Sequence, residues 1–165
     1  MGKITVLTAE NFTLTTAIRQ PVLIYSAAAG SAASNIRVLR VELTQNNQTA
    51  LAMCRIGFAT QTGTTTTGTS TTPITVSPLG GAASGLAGNT NVSAGTGRSG
   101  TNLSVNTTPG FTYHHYANFA NLNGYLWQPT PQQEIWIPPS TMWGIVFLAD
   151  PTLAGWTVSV MFDEN

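Results

Sequence analysis

EIWIPPSTMWGIVFLADPTLAGWTVSVMFDE, residues 134–164, decides the fold class of this chain. Near its end Trp156, Val158, Val160 and Phe162 alternate with Thr157, Ser159 and Met161. That period of two gives a strand one apolar and one polar face. Residues 143–148 (WGIVFL) are apolar on both parities, which predicts a strand buried on both sides. Residues 134–137 read as a short strand stopped by Pro138-Pro139, and residues 151–155 turn the chain.

The same pattern extends upstream. In residues 36–44 (IRVLRVELT), Leu39, Val41 and Leu43 fall on one parity and Val38, Arg40 and Glu42 on the other. Arg40 and Glu42 then make a surface ion pair worth less than about 1 kcal/mol. In residues 51–60, Cys54, Ile56 and Phe58 share a parity, so Cys54 reads as a core residue and not a reactive thiol. Phe111, Tyr113, His115 and Phe119 share another, and Tyr125 to Trp127 follow Asn123-Gly124. Residues 3–18 alternate Thr with apolar side chains, and a short strand is expected around Ile74 and Val76. No segment keeps a helical period. Eight or nine short strands punctuated by Pro, Gly and Asn predict an all-β, jelly-roll-like β-sandwich.

At 165 residues the chain fits a single domain. Residues 1–35 supply N-terminal strands and a small-residue linker; residues 80–110 form a long Gly/Ala/Ser/Asn/Thr loop, with low-complexity sequence also at 63–72. Charge is scarce: 7% of residues ionise, with six basic and six acidic side chains, against roughly 25% in ordinary soluble domains. Nucleic acid is therefore not an expected partner, since phosphates need clustered Lys and Arg. A membrane is not expected either, because no stretch approaches the roughly 20 apolar residues of a span. Arg19 precedes a short apolar run, but Pro21 interrupts it and Glu10 replaces the positive leader, so no secretion signal is read.

Several apparent motifs carry no chemistry. Gly95, Gly97 and Gly100 satisfy G-x-G-x-x-G, yet no strand pattern precedes them, no helix follows, and no acid waits near position 120. His114 and His115 are adjacent, and neighbours on a regular strand point to opposite faces, so they are not expected to share a metal. His115 is read as hydrogen-bonded in the core or an interface, His114 as exposed. The acids Glu10, Glu42, Glu134, Asp150, Asp163 and Glu164 are scattered, and no G-x-S-x-G elbow occurs. The Asn-x-Ser/Thr matches, such as Asn91-Val92-Ser93, follow from composition. The expectation is no catalytic residue, no metal and no cofactor.

The aromatics carry more. Trp143 and Trp156 lie in apolar strands and are core. Trp136 shares a face with Glu134, and Tyr125 and Trp127 have no clear core commitment. Tyr125, Trp127 and Trp136 are thus the candidate subunit or partner contacts, with a small cluster beneath the long loop as the competing reading.

The runs 122–131 (LNGYLWQPTP), 134–139 (EIWIPP) and 157–164 (TVSVMFDE), with 36–43 (IRVLRVEL), resemble small virion proteins of tailed bacteriophages. Those are capsid decoration or cement proteins, often β-sandwich trimers on the outside of the head. The resemblance implies a homotrimer, the major capsid protein as partner, synthesis in the host cytoplasm and residence on the capsid exterior. It implies no catalytic residues. Two alternatives stand beside it: a carbohydrate- or receptor-binding fibre head using the three aromatics as stacking platforms, and an enzyme on a cupin-like scaffold.

Overall fold

The computed structural model describes residues 3–12, 19–25, 35–46, 51–62, 72–73, 76–79, 92–94, 111–148 and 155–164. The tail of the first expected strand (13–18), the linker, the low-complexity stretch, the G-x-G-x-x-G motif and most of residues 80–110 lie outside them. Among these residues twelve strands are formed: β1 Lys3–Phe12, β2 Arg19–Tyr25, β3 Ile36–Gln45, β4 Met53–Thr62, β5 Thr72–Pro73, β6 Val76–Pro78, β7 Val92–Ala94, β8 Phe111–Ala120, β9 Tyr125–Trp127, β10 Ile135–Ile137, β11 Thr141–Phe147 and β12 Trp156–Glu164. The additional strands are β2, over the apolar run that follows Arg19, the two-residue β5, and β7 inside the stretch read as loop.

Two antiparallel sheets result. Sheet A runs β10-β3-β12-β1-β6, with β9 also paired to β3; sheet B runs β5-β7-β2-β11-β4-β8. The long pairings are nested: β1 with β12, β2 with β11, β3 with β9 and β10, β4 with β8. The chain is thus one long hairpin, rolled until β12 also meets β3 and β11 meets β4. That wrap is a jelly roll, and the sequence expectation holds.

The core fills the space between the sheets. Leu7, Val41, Leu43, Val158, Val160 and Phe162 from sheet A meet Ile56, Phe58, Trp143, Ile145 and Phe147 from sheet B, all fully buried. The Phe147 and Trp156 rings cross the interface edge to face, centroids 5.2 Å apart. Each such buried side chain contributes about 1.5–3 kcal/mol relative to exposure. The alternation read for residues 156–162 and the two-sided burial read for 143–148 are both present.

Two bulges break the parity that the sequence suggests. In β3, Met161 pairs Arg40 but Phe162 pairs Val38, so Leu39 is an additional residue. Ile36 and Val38 therefore enter the core together with Val41 and Leu43, while Leu39 is only half-buried. This corrects the assignment of Val38 to the outer face: one inserted residue flips every side chain before it. In β8, Phe58 pairs His115 and Ala59 pairs Tyr113, leaving His114 without a partner in the register. Tyr113 consequently lies outside, stacked on Tyr116 at 4.6 Å and over Gly57, where a Cβ would fall 2.5 Å from its ring.

Buried polar links close one end. Asn121, fully buried in a 3₁₀ turn, accepts from the Ala52 amide at 2.8 Å, gives its own amide to the Ala52 carbonyl, and donates Nδ2 to Gln45 Oε1 at 2.7 Å. Sheet A and sheet B are tied there through one side chain. Gly124 then turns the chain into β9 with φ +65° and ψ −174°, a region essentially reserved for glycine; a Cβ there would stand 2.9 Å from the Leu43 carbonyl oxygen.

Candidate functional site

The bulge at Leu39 sets up the outward face of sheet A. Arg37, Arg40 and Glu42 would not share a face on a regular strand, because 37 and 40 differ in parity; the additional residue brings them together. Register then lays Trp136, Arg37, Asp163 and Ile4 in one row across four strands. Arg37 Nη2 donates to Asp163 Oδ2 at 2.7 Å, and its Nη1 lies 4.0 Å from Glu134 Oε1. The same guanidinium sits over the Trp136 ring, 5.5 Å from the centroid, a contact worth about 0.5–1 kcal/mol at an exposed site. Beside this row Arg40 and Glu42 form the ion pair read from sequence, at 2.8 Å.

Both arginines of this face are thus paired with carboxylates. What remains outward is apolar: Trp136 is 51% exposed, Leu126 and Ile4 are exposed, and Leu79, bonded through its backbone to Ile4, is exposed as well. Trp136 takes the outward position expected of it. Arg37, Ile4 and Leu126 were not singled out from sequence.

Tyr125 and Trp127 are placed differently. They pair with the core residues Leu43 and Val41, face the interior, and are half-buried against the main cluster. Phe58 receives Trp127 edge-on at 5.4 Å and Tyr125 at 6.4 Å, and Phe119 stacks on Tyr125 at 5.3 Å. The three candidate aromatics thus divide between opposite faces of sheet A, and they do not form one stacking platform.

The edge where β8 of sheet B meets β9 of sheet A holds both histidines. His115 packs on Phe58 at 5.3 Å and shares a hydrogen bond with the Tyr125 hydroxyl. His114 Nε2 is 2.7 Å from the hydroxyl of Thr60, a buried residue two positions beyond Phe58 and so on the same inner face. His115 is half-buried and hydrogen-bonded as read, and His114 is exposed as read, with the bulge bringing its Nε2 within reach of Thr60.

A second apolar patch escaped the sequence reading. Leu51, Met53 and Leu122 are exposed around the Asn121 tie, and Tyr116 is exposed beneath Arg55, 6.0 Å from guanidinium carbon to ring centroid. Cys54 is buried, and burial pushes its thiol up to about 11. Among the described residues no group of three or more His, Cys, Asp or Glu could hold a metal ion, and no helix is long and apolar enough to cross a membrane. The chain finds no significant match among protein-family models, curated proteins or solved structures.

Proposed function

We propose that this chain is a structural virion component, a decoration or cement protein that binds the outer surface of a tailed-phage head and stabilises it. The observation that carries the reading is the outward face of sheet A, where both arginines are paired with carboxylates and Trp136, Leu126 and Ile4 are left for contact. Such a face suits a neutral protein surface and offers nothing to a polyanion. The sequence resemblance to phage decoration proteins supports the same role. So does the jelly-roll wrap, an architecture that viral capsid domains use, as an analogy of fold alone.

In this role the chemistry is surface complementarity, without catalysis or cofactor. The partner is the major capsid protein, and the chain acts as a homotrimer whose weak contacts add through effective concentration. It is made in the host cytoplasm and ends on the capsid exterior. Light scattering at micromolar concentration should give the trimer mass; a monomer contradicts that part. A fibre-head role loses its proposed platform, since Tyr125 and Trp127 face inward while Trp136 faces outward.

The test is occupancy on mature heads of the phage that carries the gene, read by gel densitometry at low and high salt. Apolar contacts and hydrogen bonds are screened little by salt. Occupancy should therefore hold as salt rises and fall at least tenfold for Trp136→Ala. Collapse at high salt, or unchanged binding of the variant, contradicts the reading.

A further inference from the structure

The seam between β8 and β9 is built from groups that tolerate charge poorly. His115 faces Phe58, Trp127 and Tyr125, and His114 faces Thr60. From β4 the inner face presents Cys54, Ile56, Phe58 and Thr60; from β11, Trp143 and Ile145; from β3, Val41 and Leu43. The titratable groups at this seam, among the described residues, are the two histidines, Tyr125 and Cys54; the inward carboxylate of Glu164 lies on β12 and is bonded to Thr5 of β1. The charged residues of these strands, Arg55 on β4 and Arg37, Arg40 and Glu42 on β3, lie on the outward faces. No described carboxylate faces either ring.

We propose that His115 is an acid-sensitive clasp, which holds the edge of sheet B to β9 of sheet A while its ring is neutral and releases that seam when it takes up a proton, with His114, bonded to Thr60 within sheet B, adding a second charge beside it. Three physical effects act in one direction. A charged imidazolium loses hydration beside Phe58 and Trp127 with no anion in compensation. Two charged rings on consecutive residues repel each other. A doubly protonated ring can only donate, so His115 loses the option of accepting from the Tyr125 hydroxyl. Trp127 offsets little: its ring is 6.0 Å away and tilted by 45°, at the outer limit of a cation–π contact.

Burial holds both imidazoles below the ordinary value of 6.5. The unfolded chain then binds these protons at higher pH than the folded chain. Stability from the neutral seam is fully present above about 6.5 and is lost as pH falls through the lower folded values. β9 should yield first, because it is three residues long and paired only to β3.

Hydrogen exchange, corrected for intrinsic rates, tests the clasp on the intact protein at pH 7 and pH 5. Amides of β9 and of the β8 edge should lose at least tenfold in protection at pH 5 relative to β12. In His114→Gln/His115→Gln the two pH values should give the same protection. A wild-type seam that keeps its protection at pH 5, or a double variant that loses as much, overturns the proposal. Should the double variant not fold, nuclear magnetic resonance titration of the wild-type rings decides. A value below 6.5 for His115 supports the clasp, and a value at or above 6.5 overturns it.

Discussion

Arg37 and Asp163 are bound to each other across the outward face of sheet A, Nη2 to Oδ2 at 2.7 Å, with Asp163 almost wholly buried and Arg37 one-third exposed. The contact joins β3 to β12 and supports the ring of Trp136 from beneath. The Asp163 Oδ1 atom and Arg37 Nε are buried without a hydrogen-bond partner among the described residues. This pair is thus specific in geometry and incompletely satisfied, which makes its removal informative.

Arg37→Ala should destabilise the fold by about 1.5–3 kcal/mol, the range for hydrogen bonds to charged groups, because Asp163 is left buried and unpaired. Replacing both residues, as Arg37→Met/Asp163→Leu, should recover part of that loss, since the buried Asp163 carboxylate is removed along with its partner. Urea denaturation of the two singles and the double gives the coupling. Strictly additive losses contradict the account.

Asn121→Ala should cost about 1–3 kcal/mol, because the Ala52 amide and the Gln45 side chain both lose their partner in a buried site. The loss should appear as a lower urea midpoint with unchanged slope. An effect below about 0.5 kcal/mol, the size typical of surface substitutions, would mean that the tie between the sheets is dispensable.

Cys54 should resist alkylation. Its thiol is buried and pushed up to about 11, so at pH 8 the thiolate is both rare and inaccessible. A thiol reagent monitored by mass should modify the native protein negligibly and the urea-unfolded protein completely. Rapid labelling of the native state contradicts the placement of Cys54 in the core.

The alternation from Trp156 to Phe162 was legible because the additional residues beside it fall on the partner strands β1 and β3 and leave β12 itself unbroken. Arg40 and Glu42 were legible as a pair because both lie on the same side of the bulge. Val38 and Tyr113 were not, since an inserted residue leaves composition and local propensity unchanged and shows only in the register of the opposite strand. Tyr125 and Trp127 sit in a three-residue strand, too short to carry a pattern, and their inward direction comes from pairing with Leu43 and Val41, eighty residues earlier in order of magnitude. Trp136 was legible because Ile135 and Ile137 flank it on the buried parity.

The most direct measurement of the central claim is the rupture temperature of phage heads stripped of this protein, before and after adding it back. A ligand that binds only the assembled shell stabilises that shell by linkage. Stripped heads should rupture at lower temperature, wild-type protein should restore the original value, and Trp136→Ala should fail to do so. Stripped heads as robust as complete ones, or heads indifferent to the added protein, would contradict a cement.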